Sequence, residues 1–74
     1  MSTLPIKSEI SGTVWKLEAR PGEALALDDT VLILESMKME IPVLAPRAGS
    51  VSEFRVSEGE SVGEGQVLAL FKHG

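Results

Sequence analysis

Cysteine and tyrosine are absent from this 74-residue chain, and histidine and tryptophan occur once each. Without cysteine there is no disulfide, no thiolate metal ligand and no thiol nucleophile, so packing of Val, Leu and Ile must supply the stability. A reducing compartment suits such a chain. His73, the only histidine, is the penultimate residue, where fraying is expected. A single terminal imidazole can build neither a Ser-His-Asp triad nor a multi-histidine metal site. Asp28-Asp29 reads as a turn rather than a metal site. Positive charge is scarce too: seven Lys and Arg against eleven Asp and Glu leave a formal charge of −4, the wrong sign for neutralising phosphates. Nucleic acid is therefore not an expected partner. Nor is a membrane, because no stretch approaches the ~20 apolar residues of a spanning helix. The opening "MSTLPIKSEI" has no basic segment followed by an apolar run, which makes the cytoplasm the expected location. Helices are missing as well: glycine or proline interrupts every window in which apolar residues might recur at i, i+3, i+4 and i+7. No phosphate loop can then open a helix.

What the sequence does contain is a repeat. At this length residues 1–74 form one expected domain with a small core. An offset of 37 lays "SGTVWKLEARPGEALALDDTVLIL" over "AGSVSEFRVSEGESVGEGQVLALF" without a gap. Gly12 falls on Gly49, Val14 on Val51, Gly22 on Gly59 and Glu23 on Glu60. Leu17/Phe54, Leu25/Val62, Val31/Leu68 and Ile33/Leu70 keep an apolar residue in both halves. Runs such as Val31 to Ser36, Met39 to Leu44 and Val67 to Phe71 read as short strands between the turn clusters "PGE", "LDD", "EGE" and "GEGQ". Two β halves, each with one face to hide, bury it best against each other, so the expected fold is all-β, a sandwich or flattened barrel with a pseudo-two-fold axis.

The offset also singles out Lys38. Shifted by 37 it lands on residue 1 in one direction and just past Gly74 in the other. The lysine thus holds in mid-chain the place that the termini hold at the ends, and a two-fold would set them at opposite poles. Around it, "LILESMKMEIPV" requires a reversal, and a hairpin with Met37-Lys38 as its two-residue loop is the natural reading. Such loops favour Asn-Gly, Asp-Gly or glycine where φ is positive. Met and Lys there carry a steric cost of about 1 kcal/mol each. For an arbitrary Met-Lys-Met, core-filling methionines and a solvated lysine would be the simpler reading. The central position and the missing turn residues point instead to a functional tip.

"ESMKME" resembles the attachment motif of biotinyl domains, the carriers of biotin-dependent carboxylases. "SGTVWKL" and "AGSVSEF" resemble that family's paired Gly-x-Val strands, and "PGEAL" and "EGESV" its Gly-Asp/Glu turns. Asp28 stands where the family often has a turn glycine. The connection from Leu17 to Gly22 is too short for the protruding thumb of some bacterial acetyl-CoA carboxylase carriers. The resemblance implies a flattened β-barrel or sandwich of two four-stranded antiparallel sheets, with the modified lysine on a hairpin tip. It implies covalent biotin on Lys38, a soft apolar surface from Met37 and Met39 beside the ring, and no catalysis by the chain itself. Carboxyl groups would pass between a biotin carboxylase site and a carboxyltransferase site. Partners would be those two and a biotin protein ligase, with Glu35 and Glu40 as candidates for orienting the ligase and a monomer expected in isolation. Since a lysine amine is almost wholly protonated at neutral pH, the ligase must supply deprotonation and an activated acyl donor.

Pro42 within a strand suggests an edge. Trp15, opposed in the repeat by Ser52, suggests a half-buried rim over a cofactor pocket. Two alternatives share the scaffold. A lipoyl-type acyl carrier is disfavoured by the two methionines, and an unmodified structural module would have no need of Lys38.

Overall fold

The turn clusters cut the chain into seven strands in the computed structural model, which describes residues 2–74. They are β1 (Ser2–Lys7), β2 (Gly12–Leu17), β3 (Thr30–Ser36), β4 (Met39–Leu44), β5 (Ser50–Phe54), β6 (Ser61–Val62) and β7 (Val67–His73). All pairings are antiparallel. One sheet has the order β1-β7-β5 and the other β4-β3-β2-β6, and no helix occurs among the described residues. The all-β, two-sheet expectation holds.

Where eight strands were expected, seven form. The eighth survives as one isolated bridge, Leu25↔Gly49, the counterpart at offset 37 of the β2–β6 pair Gly12↔Val62. The reason is a backbone bond. In the second half, the Val14 N–H donates to the Glu60 carbonyl at 2.8 Å and extends the ladder, whereas the matching donation from Val51 to Glu23 is not made. The first sheet therefore stops at three strands.

Elsewhere the halves repeat down to individual hydrogen bonds. The Glu23 carboxylate accepts from the Arg20 N–H at 3.0 Å, as Glu60 accepts from Ser57 at 3.1 Å. Asp29 accepts from Ala26 at 2.9 Å, and the Gln66 amide oxygen from Gly63 at 3.0 Å. Each acidic or amide side chain closes its turn three residues back, which is why these residue types sit there. Gly22 and Gly59 take φ of 86° and 89° in those turns, conformations that cost most side chains strain. The β-bulges repeat too, at Val14/Lys16 and Val51/Glu53.

The core fills the space between the sheets. Val14, Val31, Leu32 and Leu34 face Val51, Leu68, Ala69 and Phe71, all essentially sealed from water. At about 1.5 to 3 kcal/mol for each large aliphatic or aromatic side chain buried, this set carries most of the favourable energy of folding. β1 and β4 are edge strands at equivalent positions in the repeat, and each carries a proline, Pro5 and Pro42, at the matching place. A proline offers no N–H, so both edges resist pairing with another chain. Between them runs a shallow groove of about 450 Å³, lined by Leu4, Ile6, Ile10, Ile41 and Val43 among others.

Candidate functional site: the β3–β4 hairpin tip

β3 and β4 pair without a break up to Ser36↔Met39, leaving Met37 and Lys38 as the two-residue loop. Both have positive φ, 52° and 65°, the signature of a type I′ turn. Its twist matches that of the flanking strands, which is why the chain adopts it despite a steric cost of about 1 to 2 kcal/mol for each left-handed non-glycine residue. The sequence thus accepts strain in order to keep these two side chains at the apex.

Their exposure follows. Met37 is 92% exposed and Met39 64%, and Lys38 is exposed between them. Lys38 makes no hydrogen bond or ion pair with any described residue; the ion pairs are Lys16–Glu18 and Arg55–Glu53. A long side chain whose terminal amine no described residue engages therefore projects from the hairpin loop. The polar geometry expected from the repeat is present in the register: the stem pair Ser36↔Met39 matches Ser2↔His73, which joins the ends of β1 and β7.

One pair down the stem, Glu35 lies directly opposite Glu40, and both are exposed. Two carboxylates across a ladder repel one another, and the corresponding pair in the other half is Thr3↔Lys72, which does not. This adjacency was available from the sequence: with Met37-Lys38 as the loop, positions 35 and 40 must pair.

Other expected features lie elsewhere. Trp15 falls within the β2 bulge, is half-buried as expected at 48% exposure, and is not among the residues lining the groove. His73 does not fray; it ends β7, pairs with Ser2, and its Nδ1 lies 2.8 Å from the Arg47 guanidinium. Asp28 occupies a turn, with φ of 71° against 84° for its counterpart Gly65. Among the described residues no group of three or more His, Cys, Asp or Glu side chains is placed to hold a metal ion.

The family model described as "Biotin-requiring enzyme" matches residues 3–71. The chain belongs to the biotin/lipoyl attachment family. With the family come biotin as the cofactor and a non-catalytic carrier part. Among relatives of this biotin/lipoyl domain, the biotin/lipoyl attachment protein of Bacillus subtilis (strain 168) is 42% identical over 65 residues, which are 88% of this chain and 89% of that protein. The biotinylated protein TB7.3 homolog of Mycobacterium leprae (strain TN) is 40% identical over 65 residues, 88% of this chain and 92% of its own. In structure, the domain resembles part of a single-chain, multi-domain long-chain acyl-CoA carboxylase. The TM-score is 0.91 at 28% identity, over 97% of this chain and 7% of that one.

Proposed function

We propose that this domain is a biotin carboxyl carrier and that Lys38 is its attachment residue. The observation that carries the reading is the apex itself: an unpaired lysine held by a strained type I′ turn between two exposed methionines. The residues fit the group. Lys38 Nζ would attack the acyl carbon of biotin on the ligase's activated donor, forming an amide as the bond to the activating group breaks and a proton leaves, so that the side chain loses its charge and the formal net charge of −4 falls by one. Its four-carbon stem then lengthens the tether. Bound biotin supplies a ureido nitrogen that holds a carboxyl group between a biotin carboxylase site and a carboxyltransferase site.

The chain's own residues do the positioning. The hairpin projects the tether away from the core, and tethering keeps the reactive end at high effective concentration near each partner site. Met37 and Met39 present soft, polarizable apolar surface to whatever closes over the tip. Glu35 and Glu40 set a local negative charge beside it, suited to a ligase with a basic rim. The domain works as a monomer of residues 1–74 in the cytoplasm, a compartment that its cysteine-free sequence suits.

Intact mass after co-expression with biotin ligase, and separately with lipoate ligase, tests the reading. Biotin on Lys38 is the expected result. A lipoyl adduct alone would assign an acyl carrier instead, and no adduct from either enzyme would leave an unmodified structural module.

A further inference from the structure

Apart from Met1, the only sulfur atoms in the chain are those of Met37 and Met39, and no cysteine is present to compete for an oxidant. Both flank Lys38 in sequence, and both are exposed, Met37 almost completely. Every sulfur in residues 2–74 therefore stands beside the proposed acceptor amine. Methionines used as core filler would be shielded by packing. These two are open to reagents in solution, and thioether oxidation follows exposure.

We propose that Met37 and Met39 form a reversible oxidation site that controls acylation of Lys38. This rests on the reading of Lys38 as the attachment residue. The reagent is a hydroperoxide. A thioether lone pair attacks one peroxide oxygen, an S–O bond forms as the O–O bond breaks, and the remaining oxygen leaves as water or an alcohol. Sulfur is oxidised by two electrons and the peroxide reduced by two. A dithiol, acting through a methionine sulfoxide reductase, returns the two electrons, releasing water and becoming a disulfide.

The consequence follows from polarity. A sulfoxide places a strong hydrogen-bond acceptor on a side chain that was apolar, and an enzyme closing over the tip must strip water from it without a matching donor. Oxidation at both positions would flank Lys38 with two such acceptors, one on the loop and one on the first stem residue. Since the methionines lie on the loop and its first flanking pair rather than in the core, oxidation leaves the fold intact.

The test uses the unmodified full chain, treated with hydrogen peroxide and freed of it. Peptide mapping locates the added oxygens, and a far-UV spectrum checks the fold. The initial rate of biotin incorporation by a biotin protein ligase is then compared before and after treatment. We expect a fall of about tenfold, equivalent to about 1.4 kcal/mol, reversed by methionine sulfoxide reductases of both epimer specificities with a dithiol. A Met37→Leu, Met39→Leu variant, and each single variant in case the double does not fold, is compared with its own untreated rate. The double variant should lose nothing on treatment. An unchanged rate for protein oxidised at both positions would overturn the inference, as would a loss that the reductase does not reverse or that the leucine variant shares. If untreated protein takes up no biotin at all, the Lys38 reading fails first and this inference with it.

Discussion

Gly12 lies so close to Glu35 that a Cβ added at position 12 would stand 2.6 Å from the Glu35 carbonyl oxygen and 3.4 Å from the Ser36 Cβ. β2 thereby braces the stem of the hairpin just below its apex, and only hydrogen at position 12 permits the approach. Gly12→Ala should lower stability by about 1 to 3 kcal/mol, since backbone and not a flexible side chain must give way. Urea unfolding should show a lower midpoint at an unchanged slope. An unaltered midpoint would mean that the brace is not formed.

The apex should be a stability defect. Replacing Met37 and Lys38 by Asn and Gly supplies the residues that a type I′ turn favours, putting glycine at one left-handed position and the tolerant Asn at the other. The expected gain is about 1 to 2 kcal/mol, read as a rise in the urea midpoint. The same variant loses its acceptor amine and should take up no biotin. A variant no more stable than the parent would remove the argument that this turn is strained for function.

Lys38→Arg should keep the fold and abolish attachment. Arginine preserves charge and length, but a guanidinium stays protonated and does not serve as the acyl acceptor. Intact mass after co-expression with biotin ligase provides the check. Biotin mapped to Lys7, Lys16 or Lys72 in either protein would contradict the assignment of the tip.

Position should matter as much as residue type. In a Met37→Lys, Lys38→Met double variant, the lysine moves one place along a turn that aims each of its two residues differently. A ligase that reads the projection of the tip should modify this variant at least about tenfold more slowly, a difference of about 1.4 kcal/mol in the barrier. Equal initial rates in the two folded proteins would show that the enzyme reads a linear peptide.

Much of this was legible because it is local or repeated. The pairing Gly12/Gly49, the turn glycines Gly22 and Gly59 and the acidic residues after them share one phase, and that phase reappears in the hydrogen bonds of the turns. The strand from Met39 to Leu44 has the bounds expected from the run of apolar residues after the Met37-Lys38 loop. The bulge that takes in Trp15 is not legible, because a bulge depends on how two strands match along their length, which no single segment encodes. The eighth strand was lost for a similar reason, the absence of one bond between Val51 and Glu23, residues that meet only after the sheets have formed.

Legible in the sequence were where the chain turns, that its two halves repeat, and that Lys38 sits midway between them. These follow from φ preferences and from the period of the strand, both set by neighbours along the chain. Tertiary structure alone decided that the two proline-bearing edges enclose a groove and that seven strands form rather than eight. Each of these joins backbone or side chains whose meeting depends on register and on the stacking of one sheet over the other.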